Sequence, residues 1–333
     1  MSEAAHPREV FAYEGGEGVE TAFLEAQSRG RLHHAWLLTG PEGVGKATFA
    51  YRAARRLLGA TPDAQFGLLG SNPNDPVSRQ VASRSHPDLM VLERQTDDAG
   101  KTKKNIVVDD ARRLPEFFAK APASAPYRVA IIDAADDMNI NAANALLKTL
   151  EEPPARGVLF LISHAPGGLI ATIRSRCRRL AFPAWSEERV QAFVQARAGL
   201  PADQALRLAQ MARNAPGRAL AMAEQGALDA ETVAHAILQR LPDTDDAAML
   251  AVADSFRGAE GQKRFEMLFD RLQDQVQDMA SRAAESGASA EVDRWARAWE
   301  QLSVMPREVE AVNLDCADAF FTAIGRLRQA ARA

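Results

Sequence analysis

The sequence predicts an α/β phosphate-loop domain on a parallel five-stranded sheet, followed by a small three-helix domain and an all-α C-terminal domain. Three observations predict this. Short apolar runs alternate with helical patterns through the first half, a glycine-rich turn joins the first such run to a helix, and strand-like runs stop after Pro183. Alternation of this kind is what strands connected by crossover helices produce.

The strands are expected at 35–39, 88–93, 128–133, 158–163 and 179–182, most of them continuous apolar runs of the kind buried on both faces. Between them, 46–58, 109–120 and 141–152 carry apolar residues at helical spacing, and Pro153-Pro154 ends the last of these because proline cannot donate to or continue a helix. Beyond 183 the pattern is helical throughout. Ser186 caps a helix over 186–198, a second follows at 202–212, and Pro216 opens a third over 216–225. These bound a domain at 184–227, leaving 1–183 for the sheet and 228–333 for longer helices. One of these, over 262–285, spaces Phe265, Leu268, Phe269, Leu272, Val276 and Met279 by threes and fours, the spacing of a bundle or oligomerisation domain. Trp295 and Trp299, four apart, are expected to pack on one face.

With 333 residues and 47% hydrophobic content the chain can bury more than one core. A net charge of -4 gives it no overall excess of positive charge for holding DNA, so any DNA contact is local or shared with partners. The two cysteines, Cys177 and Cys316, lie far apart, which fits a reducing cytoplasm. Residues 1–16 contain no apolar signal-like run, and no uninterrupted apolar stretch approaches about 18 residues, so a soluble cytoplasmic protein is expected.

The turn Gly40-Pro41-Glu42-Gly43-Val44-Gly45-Lys46-Ala47-Thr48 has the context of a phosphate-binding loop, after a strand and opening a helix. Its glycines let backbone N–H groups turn toward phosphate oxygens, and Lys46 would reach the terminal phosphates. The position after the lysine should carry a hydroxyl for magnesium, yet it is Ala47. Thr48 follows one residue late, and one helical step turns a side chain by about 100°. On the run ending at Asp133, a Walker B-like element that would steady magnesium, the next residue is Ala134 where a water-polarising carboxylate is expected. The loop scaffold is retained while two chemical roles are missing. Asp136 and Asp137 are the nearby acidic alternatives, and a solvated loop is their ordinary role.

Several separated motifs resemble one family, the bacterial clamp-loader subunits of the AAA+ class. They are Gly30-Arg31-Leu32-His33-His34-Ala35, then Ala142-Ala143-Asn144-Ala145-Leu146-Leu147-Lys148-Thr149-Leu150-Glu151-Glu152-Pro153-Pro154, then Ser175-Arg176-Cys177. The resemblance runs from about Gly18 to Leu220 and rests beyond that on helical pattern and an Asn313-Leu314-Asp315 turn. It implies an AAA+ domain at 1–183, a helical lid at 184–227 and a helical collar at 228–333. It also implies that Arg176 is an arginine finger reaching a neighbouring subunit's ATP. The degenerate nucleotide site would comprise Gly40, Gly43, Gly45, Lys46, Thr48, Asp133, the sensor 1 position at Ser163 or His164, and Arg218 at sensor 2. Taken alone, four arginines (Arg174, Arg176, Arg178, Arg179) around a cysteine read as a solvated or ion-paired surface, and Cys177 as a buried small residue.

Partners implied are the gamma/tau and delta loader subunits, with the sliding clamp and primed DNA met through the complex and no membrane. ATP or ADP would bind, if at all, without hydrolysis. Relatives that hold zinc do so through four cysteines; residues 59–87 have none, and the lone His86 cannot complete a tetrahedral site, so no zinc is expected and the segment is read as loop or short helices. Lys101, Lys103 and Lys104 are read as a polar turn, with DNA contact as the alternative. The rival functions are a self-sufficient loader ATPase of gamma/tau type or another AAA+ ATPase, which Ala47 and Ala134 oppose, and a DNA-binding adaptor, which the acidic balance opposes.

Overall fold

The computed structural model describes residues 6–95, 105–106, 108–258, 260–312 and 314–332. The expectations for Lys101, Lys103, Lys104 and Asn313 lie outside those residues. The chain divides into two compact units, Met1–Ala221 and Met222–Ala333, so the three-helix segment from 184 falls mostly within the first unit.

In the first unit five parallel strands, β1 (Ala35–Thr39), β2 (Leu89–Glu93), β3 (Arg128–Asp133), β4 (Gly157–Ser163) and β5 (Arg178–Ala181), lie in the order β2-β3-β4-β1-β5. Each expected strand is present, with β2, β4 and β5 beginning or ending one residue away from the expected limits. Nine helices accompany them among the described residues: α1 (Glu17–Ser28), α2 (Lys46–Leu58), α3 (Pro76–Ala82), α4 (Val108–Ala119), α5 (Ile140–Glu151), α6 (Ala171–Arg176), α7 (Glu187–Ala198), α8 (Ala202–Met211) and α9 (Pro216–Glu224). The short α3 occupies the segment read as loop or short helices. α1 and α6 were not expected from the pattern.

Because side chains alternate across a strand, the central strands feed two cores at once. Trp36, Leu38, Val129, Ile131, Phe160 and Ile162 meet Phe23 of α1 and Phe49, Ala53 and Leu57 of α2 on one face. Leu37, Ala130, Ile132, Leu159 and Leu161 meet Leu114 and Phe118 of α4, Leu146 and Leu150 of α5 and Ile173 of α6 on the other. Phe23 is the hub of the first core, with ring centroids 5.3 Å from Trp36, 5.7 Å from Phe49 and 5.9 Å from Phe160. The sheet thereby carries the ends of β1 and β3, with Thr39 and Asp133, to the same rim as the glycine loop.

Two buried arginines on α2 fix the segment that precedes α1. Arg52 pairs with Glu20 at 2.8 Å, donates to the carbonyls of Phe11 and Phe66, and lies 5.6 Å from the Tyr13 ring centroid. Arg55 donates to the carbonyls of Arg8 and Val10 and stacks on Phe11 at 4.1 Å. Carbonyl oxygens and ring faces are what a buried guanidinium needs when carboxylates are scarce.

The second unit comprises α10 (Ala227–Gln239), α11 (Asp246–Asp254), α12 (Gly261–Glu285), α13 (Ser289–Val312) and α14 (Cys316–Arg332) among the described residues. Phe265, Leu268, Phe269, Leu272 and Val276 of α12 are buried as their spacing predicts, against Leu302 of α13 and Phe320, Ile324 and Leu327 of α14. The tryptophan pair divides. Trp295 is in the core at 7% exposure, whereas Trp299 is 39% exposed, because the buried positions of α13 run 295, 298, 302, 305 and 309 and leave 299 on the flank. No helix of the described residues is long and apolar enough to cross a membrane.

Glu20→Ala strips the buried Arg52 of its only carboxylate among the described residues, at 2.8 Å. Breaking such a pair by removing one partner costs about 3–5 kcal/mol. Urea denaturation of the variant is expected to show a loss in that range, whereas a midpoint equal to wild type would mean that the backbone carbonyls alone satisfy Arg52.

Candidate functional site: a closed phosphate loop and a separate arginine

The loop from Gly40 to Gly45 is shaped by positive-φ conformations that favour glycine. Gly40, Gly43 and Gly45 have φ of 148°, 77° and 99°. Space forbids a side chain as firmly as the backbone does: a Cβ at Gly43 would lie 2.3 Å from the Arg218 nitrogen, and one at Gly40 2.2 Å from the Phe182 oxygen. At Gly45 the neighbour is the Tyr13 ring, whose hydroxyl donates to the Gly45 carbonyl at 3.1 Å. Three distant segments therefore close on the loop. They are the stretch before α1, the end of β5 and the first turn of α9, where Gly217 N–H donates to Gly43 O at 2.8 Å.

Inside this enclosure Lys46 is 3% exposed and donates to the carbonyls of its own loop, Gly40 at 2.6 Å and Pro41 at 2.5 Å. Burial pushes its ammonium down to about 8, against the opposing pull of Asp133, Glu42 and Asp136. Asp133 shows the converse. Burial and then Glu93, its register partner on β2, push its carboxyl up to about 6, with Lys46 opposing.

The two acidic residues beyond Ala134 are both engaged. Asp136 accepts from Ser163 Oγ at 2.7 Å and from His164 N at 2.5 Å, so it anchors the end of β4. Asp137 pairs with Arg94 at 3.1 Å. Asp136 thus holds the end of β4, and both carboxylates are engaged rather than standing in for one at Ala134. His164 is held below the ordinary histidine range by burial and then by the charge of Lys46, which places it in the electrical environment of the loop. Thr48, half-buried on α2, is in the first turn beyond Lys46. Arg218 meets the loop through its backbone at Gly43.

The structure therefore gathers Gly40, Gly43, Gly45, Lys46, Asp133, Ser163 and the Arg218 backbone at one rim. Arg176 is bonded elsewhere. At the last position of α6 its Nη2 pairs with Glu151 at 2.9 Å and its Nη1 donates to Thr172 O at 3.1 Å, neither of them part of the loop. Burial pushes the thiol of the adjacent Cys177 up to about 12. The pattern of motifs did not expose Tyr13 or Glu151 as site residues. Tyr13 stands 32 residues from the carbonyl it holds, and Glu151 reads as one of two acidic residues before a proline pair.

The family described as DNA polymerase III, delta subunit, matches residues 16–186. A relative from Pseudomonas aeruginosa, named DNA polymerase III subunit delta', is 40% identical over 162 residues, covering 48% of this chain and 47% of that protein. The Escherichia coli protein of the same name is 30% identical over 223 residues, 67% of this chain and 64% of its own length. The Escherichia coli protein named DNA polymerase III subunit tau is 34% identical over 178 residues, 53% of this chain and 26% of that protein. The matches thus span less than two thirds of the length of each of these curated relatives.

Asp133 generates a pH prediction. Its carboxyl is raised to about 6 from 3.8, so the folded chain holds this proton more tightly than the unfolded one. The resulting stabilisation is complete below about pH 4 and is lost as pH rises through about 6. Asp133→Asn is expected to stabilise the chain at pH 7.5 by about 1–3 kcal/mol and to match wild type at pH 4, as read by urea denaturation at the two pH values. A variant no more stable than wild type at pH 7.5 would refute the assignment.

Proposed function

Since the chain belongs to the DNA polymerase III delta-subunit family, we propose that it acts as the delta prime subunit of a bacterial clamp loader, a stator that supplies an arginine to a neighbour's ATP site. The observation that carries this reading is the contrast between the two halves of the machinery. Lys46 is spent on its own loop carbonyls, Asp136 and Asp137 are engaged, and Ala47 and Ala134 offer neither a metal hydroxyl nor a carboxylate. Arg176, by contrast, stands at a helix end with its side chain 35% exposed.

The residues present do not fit magnesium-ATP hydrolysis, and no step of it is assigned to this chain. What the chain contributes is a guanidinium. Its planar fork can pair two phosphate oxygens and offset the charge that develops on a phosphoryl group in transfer, an effect of about 10³–10⁵ in rate where a finger is supplied in trans. In this reading the partners are the gamma/tau and delta subunits. The loader as a whole meets the sliding clamp and primed DNA, consistent with the chain's own net charge of -4. Residues 184–227 act as the lid and 228–333 as the collar that joins the ring, and the protein works in the cytoplasm.

Likeness to a tau subunit raises a second reading, an active loader ATPase. Both readings are decided together. Loader reconstituted with Arg176→Ala is expected to lose turnover at the adjacent site by about 10³-fold, and the isolated chain to release phosphate from magnesium-ATP no faster than its Lys46→Ala variant. Unchanged clamp-stimulated ATPase in the first assay would remove the finger, and Lys46-dependent turnover in the second would favour the ATPase.

A further inference from the structure

The arginine run 174–179 contains four guanidinium groups, each in different surroundings. Arg174 donates to the carbonyls of Pro166 and Gly167 at 3.2 and 3.3 Å. Arg178 lies 4.9 Å from the Trp36 ring centroid, and Arg179 donates to Thr39 Oγ1 at 3.0 Å. Only Arg176 of the four is paired with a carboxylate among the described residues, Glu151 Oε1 at 2.9 Å.

That carboxylate is placed by the helix that carries it. α5 stops at Glu151, with the Glu152 N–H capping Lys148 O and Pro153-Pro154 barring further turns. Its core face, Leu146 and Leu150, packs with Ile173 of α6, so the C-terminal ends of the two helices lie together. The guanidinium is thus held at two points, by Glu151 from α5 and by Thr172 O one turn back on α6. Of its five N–H groups two are used. The other three remain for an incoming anion, in a plane already set.

We propose that Glu151 is the positioning residue of Arg176, presenting the guanidinium in the orientation from which it meets the neighbouring subunit's phosphates. The inference rests on the reading of Arg176 as a finger acting in trans. A free arginine side chain samples many rotamers, and fixing it beforehand moves that entropic cost out of the transition state. Glu151 itself touches no substrate in this role, so its effect runs wholly through Arg176.

The test uses the reconstituted loader with clamp and primed DNA, carrying this chain as wild type, Glu151→Gln, Glu151→Asp, Arg176→Ala or the Glu151→Gln/Arg176→Ala double variant. Glu151→Gln keeps the shape and removes the charge, and is expected to lower kcat about 3- to 10-fold with KM for ATP unchanged. Glu151→Asp should recover part of that loss, and the double variant should be no slower than Arg176→Ala alone. Melting temperature and ring assembly should match wild type, which a merely structural role would not allow. A Glu151→Gln loader as fast as wild type or faster, beside a slow Arg176→Ala loader, would overturn the inference and leave the finger standing. So would a further loss of rate when Glu151→Gln is added to Arg176→Ala. If Arg176→Ala alone leaves the rate unchanged, the finger reading itself falls.

Discussion

The structure of the first unit depends on one constraint, the room around the loop from Gly40 to Gly45. Its glycines adopt backbone angles that favour glycine and lie against main-chain atoms of Phe182 and Arg218 and the ring of Tyr13. The loop is therefore the point at which the end of β5, the opening of α9 and the segment before α1 meet. Lys46 completes the arrangement from within. Its ammonium is drawn onto the Gly40 and Pro41 carbonyls, and burial lowers its pKa because little water is left to solvate the charge.

Arginine is used in two opposite ways around this centre. Arg52 and Arg55 are buried struts, Arg52 on a carboxylate, two carbonyls and a ring face, Arg55 on two carbonyls and a ring face, and they hold the chain from Arg8 to Phe11 against α2. Arg128 is a third, at 7% exposure, pairing with Asp88 and donating to Phe117 O. Arg176 differs in being partly open to solvent, its side chain 35% exposed. Sequence marks Arg176 through the Ser175-Arg176-Cys177 motif and its cluster of charges, but shows no sign that Arg52, Arg55 and Arg128 are buried. That difference depends on whether the surrounding fold encloses the guanidinium or leaves part of it exposed.

The sheet and the second-unit helix α12 were legible because burial on both faces, or on one helical stripe, writes a simple period into the chain. Strands such as Val158–Ser163 within β4 need only apolar side chains at consecutive positions. α1 was not legible for a physical reason: its inward face consists of Glu20, Phe23 and Ala26, so the charge that pairs with Arg52 interrupts the apolar period. α6 offers only Ile173 to the core, too little for any period to show. At the site, the glycines, Lys46 and Asp133 announced themselves through their chemistry. The bonds from Tyr13 to Gly45, from Ser163 to Asp136 and from Arg176 to Glu151 join residues 32, 27 and 25 apart, and no local pattern encodes which donor meets which acceptor.

Retention of the glycine loop in a chain that lacks the hydroxyl and the carboxylate has a mechanical explanation. A methyl at Ala47 in place of a metal-binding hydroxyl, or at Ala134 in place of a water-polarising carboxylate, changes chemistry without adding bulk to the loop, and Ala134 is buried at 5% exposure. Replacing Gly43 would drive a Cβ to within 2.3 Å of the Arg218 nitrogen and break the seat of α9. The two classes of residue in one motif therefore answer to different demands, the glycines to the fold and the polar groups to the reaction. The packing around such a loop does not depend on its polar groups, so a glycine motif by itself reports the joint between three segments.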